Sequence, residues 1–526
     1  MSSNRESLLE FSRTISSDLL GNNSPAATRL SSQHSKKFVA EDEDTDRRQR
    51  ALDGFRADID RVNNFSLRLT DIEILDARKF IKETLDSGAR KLFLAYGTDC
   101  TVSEYTLDRI FRSPELFSWG KGKSAGCGFS HVLDKLYYGT PSVTPMAAPY
   151  IAHLEHTSNA LYRAVSGMVA SGRVNCVQGS EVITVPKNDR VDRVIALEAT
   201  INMWFQLALG KFIEVSLTSV GLDIRTQQEK NQKFARIGSL LSQKDNNPFC
   251  TIDMQSASDS ISLHLIEKLF PTALFERVCA LRSTCAKIDG DKNYTDLPMV
   301  STMGNGITFP ILTLVCAALL YAAHPTARNG RLNWRETAVF GDDCIVRQNV
   351  YGRSVSMLER AGFIINQSKS FWEGPFRESC GGDYHDGVFI TPFYVKSLET
   401  AEEITIAVNQ VSQWSAIHGI PMPRTLSFLA SIFDIKYRRT PLALGATAGV
   451  IFPRMGVFVG GSRVNVMRRV TARVKDEGRN GNIKLFGILS GSISSLTDKA
   501  LTVEYIKNIN REKPKVKGIS VKTAYY

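Results

Sequence analysis

Thr337-Ala-Val-Phe-Gly-Asp-Asp-Cys-Ile-Val346 is the stretch from which this chain's fold can be read. Two short runs of strand-forming residues, Thr337–Phe340 and Cys344–Val346, flank Gly341-Asp342-Asp343, a turn-forming triplet. That pattern predicts a β-hairpin with two adjacent carboxylates at its tip. Placed there, the two charges repel. A divalent cation would offset the repulsion, and Mg²⁺ favours a site with few carboxylates completed by substrate phosphates. The same triplet also suits an ordinary hydrated turn, so the hairpin gains chemical meaning only if further carboxylates join it.

Working outward, Phe249–Asp253 reads as a second short strand ending in a carboxylate. Ser258 is expected to cap a helix carrying Ile261, Leu265, Ile266 and Leu269 on one face, stopped by Pro271. Asp259 falls in its first turn, where it could simply favour the helix N-terminus. Asp253 and Asp342 lie 89 residues apart. They converge only if their strands are neighbours, and two-metal phosphoryl transfer needs such a convergence. Glu181–Val185 alternates apolar and polar and stops at Pro186. After it, Lys187, Arg190 and Arg193 recur every third residue, a comb suited to a triphosphate. Asp189 and Asp192 interleave, so a salt-bridged turn is the competing reading. In Ser301-Thr-Met-Gly-Asn-Gly306, Gly304 and Gly306 allow close backbone approach, and Ser301 and Asn305 offer groups for a ribose; a plain glycine-rich helix start would look the same. Val355, Leu358 and Ala361 predict a short amphipathic helix closed by Gly362. Together these describe an α+β domain, an antiparallel sheet with helices packed on it.

Composition narrows the function. A chain of 526 residues suggests about three packed units. Apolar content of 43% and charged content of 23% exclude wholesale disorder. Nine scattered cysteines, none spaced C-x-x-C, argue against a disulfide scaffold or a four-ligand zinc site and favour a reducing cytoplasm. Cys127 with His131 and Cys380 with His385 are read as structural pairs. A net charge of +11 points to a polyanion partner. From Arg463 to Tyr526 there are fourteen Lys or Arg against five Asp or Glu, so the excess is concentrated near the end, a candidate nucleic-acid-contacting segment that includes Arg468 and Arg469. Residues 1–60 are rich in Ser, Asn and Gln, with an acidic run at Glu41–Asp44, and are expected to be weakly structured. The first ten residues are polar, so no signal peptide is expected. Ile307–Ala323, the longest apolar run, is interrupted by Thr308, Pro310 and Thr313 and reads as a buried helix in a soluble protein, not a membrane span.

The order of segments (basic comb, Asp-x5-Asp, Gly-rich loop, Gly-Asp-Asp) resembles that of the catalytic beta subunit of positive-strand RNA bacteriophage replicases of the levivirus type. The resemblance rests on Val185–Arg193, Asp253–Ile261 (DMQSASDSI), Ser301–Phe309 (STMGNGITF) and Phe340–Asp343. Gly362-Phe-Ile-Ile-Asn366 with Lys369, Phe376-Arg-Glu-Ser-Cys-Gly381 and Thr391–Tyr394 extend it. It covers about residues 180–396 and fades toward both ends. It implies a right-hand polymerase with fingers, palm and thumb, and an RNA-templated RNA polymerase that copies a positive-strand RNA phage genome from NTPs with two Mg²⁺ ions, or Mn²⁺ in their place. By the same resemblance Asp253 and Asp342 would be metal ligands, Asp343 a ligand or close support, and the Met254 carbonyl a backbone ligand. Lys187, Arg190 and Arg193 would grip the triphosphate. Asp259, Ser301 and Asn305, with Gly304 beside them, would sense the ribose, and Lys369 would be general acid to the pyrophosphate.

The expected layout is residues 1–90 as an N-terminal segment leading into the fingers, 91–245 as fingers, 246–271 with 298–396 as palm, 272–297 as an insertion, and 397–526 as thumb and basic C-terminal region. Expected partners are RNA template and product, with host elongation factors Tu and Ts and a ribosomal protein, in the cytoplasm of a bacterial host. A reverse transcriptase and a non-catalytic RNA-binding protein with a polymerase-like shell are the alternatives. The sequence departs from the family pattern at Phe340, where Tyr is more usual, and at Pro310, where an acidic residue is expected.

Overall fold

A computed structural model describes residues 4–38, 45–93, 101–113, 116–118, 120, 122–128, 135, 139–155, 165, 167–188, 190–324 and 332–432, with short strand pieces at 439–440, 450–451, 463–467 and 516–520. Arg468, Arg469, His131, Asp189 and the acidic run at 41–44 lie outside the described residues. The principal helices are α1 (Asn4–Asp18), α2 (Pro25–Gln33), α3 (Thr45–Asn63), α4 (Asp71–Phe93), α5 (Thr200–Ser219), α6 (Gln227–Leu240), α7 (Thr308–Ala323), α8 (Gln348–Arg360), α9 (Ala401–His418) and α10 (Pro423–Ile432). The strands used below are β1 (Ser180–Val185), β2 (Arg193–Leu197), β3 (Phe249–Ile252), β4 (Met254–Gln255), β5 (Cys285–Ile288), β6 (Tyr294–Asp296), β7 (Ala338–Phe340), β8 (Asp343–Arg347), β9 (Ile364–Ile365), β10 (Phe376–Ser379), β11 (Gly382–His385) and β12 (Val388–Phe389). The molecule is a mixture of helix and sheet.

The central core is built on α7, apolar on all sides and buried along almost its whole length, as a helix packed from every direction must be. Helices α4 and α5 pack against it through Phe80, Ile81, Leu85, Leu209, Phe212 and Ile213, each essentially inaccessible. Every such side chain contributes about 1.5–3 kcal/mol of burial. Pro310 sits in the first turn of α7, where the backbone N–H it lacks would have no helical partner, and the helix starts there undisturbed.

Against this core lies the antiparallel sheet β3-β8-β7. The predicted hairpin is present as β7 and β8, with Phe340 paired to Asp343 across a two-residue Gly341-Asp342 turn. Gly341 carries φ +61°, and a Cβ there would meet the Phe309 ring at 2.6 Å, so only glycine fits. Strand β8 pairs on its other edge with β3, Cys344 opposite Ile252. One residue further along that register, Asp253 leaves β3 beside Asp343. The two carboxylate clusters therefore share one end of one sheet.

A second sheet, β2-β1-β5-β6, is covered by α3 through Leu52, Phe55, Ile59 and Val62. Here the reading of residues 1–60 as weakly structured is corrected. Leu8, Phe11, Ile15 and Leu19 form one helical stripe of α1 and its C-terminal extension, buried with Val411, Trp414 and Leu429 of α9 and α10 in a separate core. Asp18 accepts from the Thr425 backbone and hydroxyl at 2.8 Å, fastening the start of the chain to α10. The helix cap at Ser258 is likewise corrected. Residues Ala257–Ser260 form a 3₁₀ turn after Ser256 at φ +44°, and the helix Leu263–Leu269 is capped by Ser262, whose Oγ accepts from Leu265 N at 3.1 Å. Among the described residues no helix is long and apolar enough to cross a membrane, and the eight described cysteines are unpaired.

Candidate active site

The end of the β3-β8-β7 sheet opens into a cleft of about 800 Å³ walled by α3, the β1–β2 hairpin, the 303–305 loop and the hairpin tip. Of the twelve residues singled out from sequence, nine line it: Lys187, Arg193, Asp253, Met254, Asp259, Gly304, Asn305, Asp342 and Lys369. Asp343, Arg190 and Ser301 do not.

At the sheet end the three aspartates are held in different ways. Asp253 accepts from the Asn366 side chain at 2.7 Å, and its backbone N–H donates to Ser370 Oγ at 3.1 Å. Strand β9 pairs with β4 immediately beyond Asp253 and brings Asn366 and Lys369 to it. Burial pushes the Asp253 carboxyl up to about 6, against the pull of Lys369 and Asn366, with Asp343 and Asp342 adding repulsion. Burial raises Asp342 as well, opposed by Lys369, Lys187 and Arg193. Asp343 points back into the protein: its Oδ1 accepts from Ser379 Oγ at 3.1 Å and from Cys380 N at 3.0 Å. Burial pushes it up to about 6, with Asp342 adding repulsion.

Those contacts give the Phe376–Gly381 string a physical meaning. Strands β10 and β11 are joined by a two-residue turn, Cys380 at φ +50° and Gly381 at φ +74°. A left-handed Cys costs on the order of 1 kcal/mol, and this one presents its N–H to Asp343. The buried Arg377 guanidinium donates to Phe249 O and Gly374 O at 2.8 Å each, binding this hairpin to β3. Arg29 of α2 joins Asp383 at 2.7 Å and Glu378 at 3.3 Å from the outside.

Opposite the aspartates stand cations. Burial lowers the Lys187 ammonium and the neighbouring Arg193 and Lys369 lower it further, while Asp253 and Asp342 raise it. For Lys369 burial would lower the ammonium, but Asp253, Glu378, Asp343 and Asp342 together outweigh it, and its pKa is raised. It stays charged. Arg190 is not part of this wall: Asn188 Oδ1 accepts from Arg190 N at 2.9 Å and Val191 N at 2.8 Å, a local turn that interrupts the three-residue comb and leaves Arg190 exposed.

The inner corner is different in kind. Burial pushes Asp259 up to about 7, with Asp58 of α3 adding repulsion, and its Oδ1 has no hydrogen-bond partner among the described residues. Gly304, at φ +119°, lies so close to β2 that a Cβ would sit 2.1 Å from Ala196 O. Asn305 is fixed by two bonds, its Oδ1 accepting from Ile307 N at 3.0 Å and its Nδ2 donating to Glu198 Oε1 at 3.4 Å. Glu198 is fully enclosed and its carboxyl raised by burial, with Ser283 and Gln206 donating to it at 2.8 and 3.1 Å. The buried Ser301 hydroxyl has no partner among the described residues, and Ser301 is not part of the cleft lining. Sequence reasoning missed Glu198, Asp58 and Arg61 altogether; Arg61 donates to Ser260 Oγ at 2.9 Å.

The donor set suits hard divalent cations. Asp253 and Asp342 are hard oxygen donors on the cleft wall with raised pKa values, which a cation would reverse. Among the described residues no three His, Cys, Asp or Glu side chains already gather as a metal site. Mg²⁺ commonly takes only one or two carboxylates and completes its shell with substrate phosphates and water, so the pair fits.

Comparison with known proteins identifies the family. The family model described as "RNA replicase, beta-chain" matches residues 60–485. The chain belongs to this family. Its relatives include the RNA-directed RNA polymerase subunit beta of Enterobacteria phage SP, 36% identical over 51% of this chain and 45% of that protein. The corresponding subunit of Escherichia virus Qbeta is 36% identical over 49% and 42%, and the beta chain of Enterobacteria phage fr is 32% identical over 57% and 54%. The chain spans about half the length of the curated relatives it matches. Among solved structures, the RNA-dependent RNA polymerase of a human picorbirnavirus matches 49% of this chain and 56% of its own at 15% identity and a TM-score of 0.32. The BmCPV polymerase matches 66% and 32% at 11% identity and 0.36. Both scores are too low to bear on the fold of this family member.

Proposed function

We propose that this replicase-family chain is an RNA-templated RNA polymerase of a positive-strand RNA phage, joining the α-phosphorus of an incoming NTP to the 3′-oxygen of the growing strand and releasing pyrophosphate. The observation that carries the reading is the single cleft in which strand-end carboxylates face Lys187, Arg193 and Lys369. Binding RNA alone calls for cations; clustered, mutually repelling aspartates at its floor serve transfer chemistry instead.

In this reading Asp253 and Asp342, with the Met254 carbonyl, would hold two Mg²⁺ or Mn²⁺ ions. When bound, such ions acidify the attacking hydroxyl and neutralise the leaving phosphates. Asp343 acts as a support, since one of its oxygens is already committed to Ser379 and Cys380. Lys187 and Arg193 bind the triphosphate, and Lys369, charged and beside the aspartates, donates a proton to the departing pyrophosphate. Asp259 and Asn305 read the ribose hydroxyls, Asn305 being oriented by Glu198. In right-hand terms the β3-β8-β7 sheet is the palm, the β1–β2 hairpin belongs to the fingers, and residues 397 onward form the thumb.

Host elongation factors Tu and Ts and a ribosomal protein are proposed partners, in a bacterial cytoplasm. The test is incorporation of labelled nucleotides on an RNA template with Mg²⁺, run with NTPs or dNTPs and with or without bacterial extract. NTP-dependent product is expected. A preference for dNTPs would replace this reading with a reverse transcriptase, and template binding without incorporation in either condition would replace it with a non-catalytic RNA binder.

A further inference from the structure

Helix α6 has two working faces. Gln227, Asn231 and Ala235 are buried, and Asn231 Nδ2 donates to Asp343 O at 3.0 Å. One step around the helix, Lys230, Lys233 and Phe234 face a different space, a pocket of about 510 Å³ completed by Glu229, Trp334 and Arg335 and sharing no residue with the cleft. Its two rings are fixed. Trp334 Nε1 donates to Val220 O at 2.5 Å, and Phe234 stacks on Phe249 with centroids 4.4 Å apart. The Lys230 ammonium lies 5.6 Å from the Phe234 centroid and 5.7 Å from Trp334.

The charges here lack what several other cations in this molecule have. Arg277, Arg29 and Arg347 also lie over aromatic rings, and each has a carboxylate partner, Asp108 at 2.6 Å, Asp383 at 2.7 Å and Asp245 at 3.3 Å. Among the described residues Lys230, Lys233 and Arg335 have none, although Glu229 lines the same pocket. Partial burial lowers the Lys230 ammonium, with no anion to offset it. An immobilised indole edged by unpaired cations on two separate elements, α6 and the turn after Leu332, matches the needs of a nucleic-acid strand. Base stacking supplies affinity on a ring face, and successive phosphates reach cations on either side. Duplex RNA offers no free base face.

We infer that this pocket is a second docking site for single-stranded RNA, in which a base stacks on Trp334 and the flanking phosphates pair with Lys230, Lys233 and Arg335. The inference goes beyond the polymerase reading and does not rest on it. Because α6 also touches Asp343, an occupied pocket and the cleft share one rigid element.

The test uses the full chain and a short single-stranded RNA carrying photoreactive uridines. Crosslinks are expected in residues 226–240 and 332–336 as well as in the cleft. Lys233→Glu with Arg335→Glu, both exposed and outside the cleft, should remove the first set and keep the second. The same variant should weaken binding about tenfold and lower the slope of log affinity against log salt by about 1.4. Trp334→Phe, which keeps a ring, should bind more tightly than Trp334→Ala, for which about a tenfold loss is expected. Melting curves confirm that each variant is folded. Absence of pocket crosslinks, or affinity and salt slope unchanged in the double variant, overturns the site. Competition by polyglutamate as effective as by unlabelled RNA would also overturn it, in favour of an acidic protein partner. Failure of the polymerase reading would appear separately, as no NTP incorporation by the unaltered chain.

Discussion

The two ends of the cleft use the same residue types for opposite purposes. At the sheet end, Asp253 and Asp342 face Lys187, Arg193 and Lys369; burial shifts the two aspartates and Lys187 toward their neutral forms and the opposite charges across the cleft oppose it, prevailing at Lys369. At the inner corner, Asp259 and Glu198 are enclosed, and Glu198 is satisfied by neutral donors from Ser283, Gln206 and Asn305. The first arrangement is unstable without counter-charge and is therefore built for charged ligands. The second is rigid and neutral in character, which suits the proposed reading of the ribose by hydrogen bonds.

Substitutions should separate the two ends. The largest effect is expected for Asp253→Asn, with incorporation lost by about 1,000-fold or more and RNA binding retained, since only the charge is removed. Single-turnover extension measures the first and anisotropy the second. Lys187→Ala should raise the NTP KM by roughly tenfold with a smaller change in kcat, the expected loss of one charge-assisted phosphate contact. An effect on kcat alone would move Lys187 out of the binding role.

Changes at the inner corner should be smaller and differ in character. Glu198→Gln places an amide N–H where donors now point, loosening Asn305. NTP-over-dNTP selectivity should fall a few-fold while NTP turnover stays within about threefold. A large loss of turnover with an unchanged selectivity would mean that Glu198 only supports the fold.

Asp259 gives a pH signature. Its folded carboxyl titrates at about 7 against 3.8 ordinarily. Its contribution to stability is therefore full below about pH 4 and is lost as pH rises through 7, amounting to roughly 4 kcal/mol. Asp259→Asn should melt higher than the parent chain at pH 8, with the advantage shrinking toward pH 5. A pH-independent difference would show that burial does not hold this group protonated.

Much of the sheet end was legible in the sequence, because strand alternation and a Gly-Asp-Asp turn leave local signatures. The β3–β8 register was not, and it is this register that places Asp253 beside Asp343. Asn366 and Ser370 reach Asp253 through a pairing more than a hundred residues long-range, which no local pattern reveals. The Phe376–Gly381 string was noticed without its reason, which is the support of Asp343 by Ser379 and Cys380. The stripe Leu8, Phe11, Ile15 and Leu19 was readable but hidden by the Ser- and Asn-rich residues around it. Arg190 lies outside the cleft lining because a three-residue period gives a comb only on a regular backbone, and Asn188 makes a turn there. Glu198 carries no signal at all; only burial makes it distinctive.

The central claim, that the carboxylates at the end of the β3-β8-β7 sheet perform nucleotidyl transfer, is tested most directly by template-dependent incorporation of a single labelled NTP by the purified chain and by Asp342→Ala. Product is expected from the parent chain with Mg²⁺ and none above background from the variant, the variant melting no lower than the parent because a repelling charge has gone. Equal incorporation by a folded Asp342→Ala chain would contradict it.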